Sequence, residues 1–110
     1  MSDKSKTVAD ATAFVDAVAA RNGWRVNRDA EFTADIAAGL ATNYNRYGYF
    51  LCPCRDGDGD RASDRDIICP CQYSTADIAE HGHCFCGLYL SESFSNSGSN
   101  PEPIPERRPG

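Results

Sequence analysis

The sequence contains no long hydrophobic run and hardly any clustered positive charge. No segment approaches the ~20 apolar residues of a transmembrane helix, so we expect no membrane association. The first residues, MSDKSKTVADATAF, hold no apolar segment typical of a secretory signal, which favours a reducing, cytoplasmic location. The longest run of Lys and Arg is the doublet Arg107-Arg108, and this scarcity argues against a nucleic-acid partner.

The sequence also has little material for a large core. It contains one Met and one Trp among 110 residues, and its mean hydropathy is -0.51. A chain of this length forms one small domain and buries roughly two-thirds of its unfolded surface, which leaves a narrow margin of stability. Six cysteines are present that could reinforce such a domain. They lie within residues 52–90, which also carry -4 of the total net charge of -5.

Two helices are predicted in the first half of the chain. The first has an apolar stripe at three- and four-residue steps and a stop signal at Gly23. Its stripe consists of Val8, Ala11, Phe14, Val15 and Val18. Asn27 or Asp29 can cap the second helix, which we expect to end at Gly48. Its stripe consists of Phe32, Ile36, Ala37, Leu40 and Tyr44.

In the second half of the chain, the sequence predicts one more short helix and an unstructured C-terminal segment. Ser74, followed three residues later by Asp77, is a capping-box pattern, and Gly82 would end the helix. From residue 91 onward, SESFSNSGSNPEPIPERRPG is rich in Ser, Pro and Gly, which predicts a disordered tail. We therefore expect a mainly α-helical domain over residues 1–90 and a tail over residues 91–110.

The six cysteines form three Cys-x-Cys pairs: Cys52-Pro53-Cys54, Cys69-Pro70-Cys71 and Cys84-Phe85-Cys86. In extended backbone, residues two apart point to the same side, so each pair presents both sulfurs to one place. Proline at the centre of two pairs fixes its own φ and keeps the preceding cysteine out of the helical region. The spacing therefore indicates rigid turns in which two sulfurs point the same way.

Six converging thiols have three chemical uses. Structural zinc usually takes paired ligands two to four residues apart, and its four ligands would leave two cysteines over. Three structural disulfides would form an unusual framework and do not suit a reducing compartment. An iron–sulfur cluster held by four thiolates leaves two thiols for a redox-active dithiol, so this use accounts for all six. The residues alone favour the cluster and leave zinc open.

The strings LCPCR, CPCQ and HCFCGLY, in this order after two predicted helices, closely resemble the catalytic (beta) chain of ferredoxin–thioredoxin reductase. The resemblance covers about residues 8–90 and is greatest to the shorter, non-plant-type members of the family. It implies a small, compact multihelical domain whose Cys-rich loops wrap a 4Fe–4S cluster. It also implies an oxidoreductase that passes single electrons from a ferredoxin-like donor to a thioredoxin-like or glutaredoxin-like disulfide protein.

The same resemblance implies a role for each cysteine. Carried over by position, the ligands of the cluster are Cys52, Cys69, Cys71 and Cys84. The redox-active disulfide joins Cys54 to Cys86. Cys54 would be the solvent-side nucleophile that attacks the partner's disulfide, and Cys86 would stay close to the cluster.

The sequence departs from plant-type members between the last two cysteines. Those members carry a histidine there, thought to handle protons beside the disulfide, whereas this chain has Phe85. His83 lies just upstream and is our candidate for the proton-handling role. A variable-type second subunit or a homodimer is compatible with the resemblance. Two other readings stay open: a zinc-binding structural or interaction module without catalysis, and a cluster-bearing electron relay or sensor.

Overall fold

The first helix begins and ends at residues with clear capping chemistry. The computed structural model describes residues 5–54 and 57–105, and α1 comprises Val8–Asn22. The Thr7 hydroxyl accepts a hydrogen bond from the Asp10 N–H, and the Asp10 carboxylate accepts one from the Thr7 N–H. These bonds lower the pKa of Asp10. Gly23, with φ of 73°, ends the helix in the left-handed region and confirms the predicted stop.

The second helix, α2, comprises Ala30–Tyr47 and ends at Gly48, as predicted. Its cap is Asp29, whose carboxylate accepts from the Phe32 N–H at 3.1 Å. Asn27, the other predicted cap, lies outside the helix. Its side-chain amide donates instead to the Gly87 carbonyl at 2.8 Å, which ties the loop before α2 to the third cysteine pair.

The core is formed where α1 packs against α2. Small side chains dominate the contact and allow the helices to approach closely. The buried residues of the two helices are Ala11, Val15, Val18, Ala19, Ile36, Ala37, Leu40 and Ala41. The same core includes Cys69 and Cys84, so the helix pair is the platform on which the cysteine-bearing loops rest. Phe14 stacks on Phe50 with ring centroids 4.3 Å apart, just before the first cysteine pair.

A short antiparallel sheet connects the segment after α1 to the segment after the third cysteine pair. Strand β1, Arg25–Val26, pairs with β2, Tyr89–Leu90, and Val26 lies opposite Tyr89. The Trp24 ring lies against the Tyr89 ring at 5.4 Å between centroids. Two-residue strands carry no recognisable alternation, so the sequence pattern did not reveal this pairing.

The loop between the first two cysteine pairs is ordered by one buried carboxylate. It contains α3, Arg61–Asp64, and a 3-10 turn, Arg65–Ile67. Asp64 is fully buried and accepts hydrogen bonds from the backbone N–H groups of Asp58 and Gly59. It also accepts one from the Tyr49 hydroxyl at 2.6 Å. This aspartate therefore anchors the loop to the segment that leads into the first pair.

The third predicted helix is present, but its predicted cap is wrong. Helix α4 comprises Ser74–His81 and ends at Gly82, as expected. Ser74 is the first helical residue, and the residue before it, Tyr73, makes no side-chain capping bond. The Ser74 hydroxyl instead lies 3.2 Å from the Cys71 sulfur, because the preceding turn brings this cysteine back to the helix end.

A fifth helix, α5, lies where we predicted a disordered tail. It comprises Glu92–Ser97 and is capped by Ser91, whose hydroxyl accepts from the Phe94 N–H. The Phe94 ring meets the edge of His83 at 5.3 Å between centroids, and this contact holds the helix on the domain. Residues 106–110 of the predicted tail, and residues 1–4 of the predicted domain, lie outside the described residues.

The chain is a small, mainly helical domain, as the sequence predicts. Its radius of gyration is 13.5 Å, close to the value of about 13 Å expected for a compact domain of 100 residues. Within the described ranges, no helix combines the length and the apolar content needed to cross a membrane.

Candidate functional site

Backbone hydrogen bonds bring the first two cysteine pairs side by side. The Cys52 N–H donates to the Ile67 carbonyl at 3.1 Å, and the Cys69 N–H donates to the Phe50 carbonyl at 2.7 Å. Leu51 forms an antiparallel bridge with Ile68 between these bonds. Residues 57–68 thus lead back to the segment before the first pair, and the two Cys-Pro-Cys turns begin in neighbouring positions.

A tight turn places the third pair on the same core. The Cys84 N–H donates to the Tyr89 carbonyl at 3.0 Å, and the Gly87 N–H donates to the Cys84 carbonyl at 2.9 Å. Gly87 has φ of 82°, a left-handed conformation that favours glycine. The amide of Asn27 holds this glycine from the side of α2. These bonds position Cys84 and Cys86 beside β2.

Five cysteines line one narrow cavity, four of them buried and the fifth, Cys86, half-buried. Cys52, Cys69, Cys71 and Cys84 are each between 3% and 8% exposed. The other lining residues are Pro70, Ser74, Phe85, Cys86 and Tyr89. None of these described lining residues supplies a carboxylate, imidazole or amine. Soft sulfur donors without competing groups are the ligand chemistry of iron–sulfur clusters and of zinc, so the residues fit a metal centre.

The thiols of this cavity differ in how readily they ionise. Burial raises the pKa of Cys69 well above its ordinary value. A hydrogen bond with Cys54, together with burial, raises the pKa of Cys52 to about 11. Hydrogen bonds from Cys86 and from the Tyr89 backbone lower the pKa of Cys84. A bound metal is the partner that would allow all of these thiols to ionise together.

Cys86 lines the cavity as well, and Cys54 lies beside it. The sulfurs of Cys52, Cys54 and Cys86 lie within 4.8 Å of one another. Cys54 is exposed, whereas Cys86 is half-buried and its sulfur is 3.8 Å from that of Cys84. Hydrogen bonds with Cys52 and Cys54 raise the pKa of Cys86. Cys86 therefore lies between the surface thiol of Cys54 and the buried thiol of Cys84.

Comparison with known proteins identifies the family. The family model described as "Ferredoxin thioredoxin reductase catalytic beta chain" matches residues 1–106. The chain belongs to this family. Ferredoxin thioredoxin reductase is an oxidoreductase that acts on disulfides, which confirms the enzyme class and the family that the cysteine strings predict.

Curated relatives agree with the ferredoxin thioredoxin reductase family model. The catalytic chain from Guillardia theta is 29% identical over 89 residues, which is 79% of this chain and 83% of the relative. The one from Synechocystis sp. is 29% identical over 96 residues, which is 86% of this chain and 78% of the relative. The one from Pyropia yezoensis is 32% identical over 80 residues, which is 71% of this chain and 66% of the relative.

For a chain of this family, the structure brings the six predicted site cysteines into one continuous group. The four predicted ligands and Cys86 line the cavity, and Cys54 lies beside it. The closest trio of sulfurs combines the predicted ligand Cys52 with Cys54 and Cys86. The division into four ligands and two redox-active thiols therefore stays a prediction.

His83 lies beside the thiol pair with both ring nitrogens engaged. It is 3% exposed, and Nδ1 lies 2.8 Å from the Cys84 carbonyl oxygen. Nε2 accepts from the Glu102 N–H at 3.4 Å, so the proton lies on Nδ1, which donates to the carbonyl. His83 also lines the groove that contains Cys54 and Cys86. This geometry holds the cysteine turn and the C-terminal segment together, and its proton-handling role stays a prediction.

Two residues of the site were missed by sequence reasoning. The Tyr89 hydroxyl lies 3.4 Å from the Cys69 sulfur, and the Tyr89 N–H donates to the Cys84 sulfur. Ser74 contacts the Cys71 sulfur. The three-residue spacing from Cys71 to Ser74 was a usable signal. The capping-box pattern instead predicted an interaction of Ser74 with Asp77, three residues after it. No local signal connects Tyr89 to Cys69.

Proposed function

We propose that this chain is the catalytic subunit of a ferredoxin-dependent disulfide reductase. Cys52, Cys69, Cys71 and Cys84 would hold a 4Fe–4S cluster, and Cys54 and Cys86 would form the redox-active pair. The observation that carries the proposal is the position of Cys86. Its sulfur is 3.8 Å from Cys84 on the cavity side and within 4.8 Å of the exposed Cys54 on the other.

A cluster held by Cys52, Cys69, Cys71 and Cys84 would supply electrons one at a time beside the Cys54–Cys86 pair. Reduction of the Cys54–Cys86 disulfide to two thiols takes two electrons and two protons. The exposed Cys54 thiolate then attacks the partner's disulfide, bonds to one sulfur and releases the other as a thiol. Cys86 attacks the Cys54 sulfur, releases the partner's second thiol and re-forms the Cys54–Cys86 disulfide. The partner gains the two electrons that the pair had received.

A groove next to the pair supports this division of roles. It has a volume of about 340 Å³, and the exposed Cys54 belongs to its lining. Apolar side chains of Phe85, Pro103 and Ile104 contribute to its lining, together with Cys86. An extended segment that flanks a partner's disulfide could reach the exposed Cys54 there, whereas Cys86 is half-buried.

The partners are proposed from the same reasoning. The relatives are named ferredoxin-thioredoxin reductase, and we assign to this chain a ferredoxin-like donor and a thioredoxin-like or glutaredoxin-like disulfide substrate. The name "catalytic chain" implies a second chain in the relatives, so we include a variable-type subunit, with a homodimer as the other arrangement. A reducing cytoplasm is the proposed location, because a dithiol of this kind works from its reduced state.

Metal and sulfide analysis of anaerobically purified protein tests the cofactor. We expect a brown protein with four iron and four acid-labile sulfide ions per chain. A colourless protein with stoichiometric zinc would instead support the structural-module alternative. Cys69→Ser should lose iron, since it removes a proposed ligand, while Cys54→Ser should retain it.

The roles of Cys54 and Cys86 are tested by trapping. Cys54→Ser should keep the iron and lose transfer to a thioredoxin-like disulfide, because the attacking thiol is gone. Cys86→Ser should keep the iron and accumulate a mixed disulfide on Cys54, because nothing resolves it. Mass spectrometry of the two variants distinguishes these outcomes. An adduct on Cys86 in Cys54→Ser would reverse the roles, and full activity in both variants would favour an electron relay.

A further inference from the structure

Tyr89 contacts the sulfurs of two proposed ligands. Its hydroxyl lies 3.4 Å from the Cys69 sulfur, and its backbone N–H donates to the Cys84 sulfur at 3.4 Å. The residue is 1% exposed, and its ring packs against Trp24. Because it belongs to β2, the pairing with Val26 fixes its backbone. The hydroxyl is therefore held towards the cavity and away from water.

Ser74 makes a similar contact on another side of the cavity. Its hydroxyl lies 3.2 Å from the Cys71 sulfur, and the residue is 2% exposed. It is the first residue of α4, so the helix fixes its position relative to the Cys-Pro-Cys turn. A serine at a helix start usually serves as a cap, but this hydroxyl is directed to sulfur.

The direction of these two hydrogen bonds follows from ligand chemistry. Either atom could donate when the sulfur is a free thiol. A cysteine that ligates a metal has lost its proton, so its sulfur can only accept. The hydroxyls of Tyr89 and Ser74 must then donate. Together with the Tyr89 N–H, two residues supply hydrogen bonds to three of the four proposed ligands.

Hydrogen bonds to ligand sulfurs change the electronics of the metal they hold. Reduction adds negative charge to the centre, and part of that charge resides on the sulfurs. A donor near a sulfur therefore stabilises the reduced state more than the oxidised state and raises the reduction potential. The effect is strong in a buried site, because little water competes for the sulfur.

We propose that the hydroxyls of Tyr89 and Ser74 are positioning groups that raise the reduction potential of the metal centre through its cysteine ligands. This inference rests on the proposed function, since it requires an iron–sulfur centre in the cavity. The two hydroxyls would thereby set how strongly the reduced centre drives reduction of the neighbouring Cys54–Cys86 disulfide.

The test compares midpoint potentials of intact, iron-loaded proteins. Tyr89→Phe removes the hydroxyl and keeps the ring, and Ser74→Ala removes the other hydroxyl with little change in volume. Tyr49→Phe is the matched control, because this buried tyrosine donates to Asp64 and contacts no sulfur in the described structure. Potentials are measured by anaerobic titration of the visible absorption, and iron is counted in each sample.

We expect the potential of Tyr89→Phe and of Ser74→Ala to be more negative than that of the wild type, with full iron content. The control should match the wild type. Resonance Raman spectra should show higher iron–cysteine stretching frequencies in both variants, because a sulfur without a hydrogen bond binds iron more strongly.

Unchanged potentials in both variants at full iron content would overturn the inference and leave the proposed function intact. If Tyr89→Phe lost iron or failed to fold, the potential of Ser74→Ala would decide. A wild-type protein that held zinc and no iron would overturn the proposed function itself, and the inference with it.

Discussion

Replacing Asp64 by alanine should destabilise the loop that follows the first cysteine pair. The carboxylate is fully buried and accepts from the Tyr49 hydroxyl and from the backbone N–H groups of Asp58 and Gly59. A Cβ on Gly57 would lie 2.7 Å from an Asp64 oxygen, so the loop is closely packed on this carboxylate. Alanine cannot replace any of these three acceptor contacts.

The size of the effect follows from which donors regain water. Hydrogen bonds to a charged group contribute about 1.5–3 kcal/mol each. The Asp58 and Gly59 amides lie in an exposed loop and can bind water once the carboxylate is gone. The free energy lost with each of these two hydrogen bonds is therefore at the low end of that range. Tyr49 is a buried residue, and its hydroxyl would be left without this acceptor. The variant also avoids the cost of burying a charged carboxylate, which offsets part of this loss. We therefore expect the free energy of unfolding to fall by about 3 kcal/mol for Asp64→Ala.

The assay is urea unfolding of the anaerobic protein, followed by fluorescence of Trp24. We expect a lower midpoint at unchanged slope for Asp64→Ala, and a smaller decrease of the midpoint for Tyr49→Phe. Asp35→Ala is the control, because Asp35 is an exposed aspartate of α2 and should stay within about 0.5 kcal/mol of the wild type. If Asp64→Ala behaved like this control, the anchoring role of Asp64 would be refuted.

Two further predictions concern the C-terminal helix and alkaline pH. Truncation after Leu90 should destabilise the protein by about 1–3 kcal/mol relative to truncation after Pro105, because Phe94 is lost from the domain surface; equal melting temperatures of the two would contradict the packing of α5. Burial and the hydrogen bond to Asp64 raise the pKa of Tyr49 to about 12 from the ordinary 10.0. Its contribution to stability is therefore complete below pH 10 and is lost as the pH rises towards 12. Tyr49→Phe should flatten this part of the stability–pH curve, and an unchanged slope would disprove the assignment.

The helices were predictable because their ends depend on neighbours in sequence. Gly23 and Gly48 end α1 and α2 as predicted, and Asp29 caps α2. Capping involves a side chain and a backbone group three residues apart, so the sequence contains the whole interaction. The capping box predicted at Ser74 is absent, because the Ser74 hydroxyl contacts the Cys71 sulfur, which lies outside the helix.

The tail shows how composition can mislead. A segment rich in Ser and Gly predicts disorder on average, yet Ser91 caps α5 and Phe94 anchors it on His83. This contact with a residue eleven positions earlier, the hydrogen bond from the Ser91 N–H to the Gly82 carbonyl and the ion pair of Glu92 with Arg25 hold α5 on the domain. Average composition does not register contacts of this kind.

The sequence by itself determined the mainly helical character of the protein, the three cysteine pairs and the family to which they belong. Only the tertiary structure decided that the pairs converge, that Cys86 lies between Cys54 and Cys84, and that the Tyr89 hydroxyl contacts a sulfur twenty residues away. The reason is the range of the interactions. Helix caps and Cys-x-Cys turns act over two to four residues, whereas the site is assembled by backbone pairing between segments whose separation along the chain leaves no periodic signal.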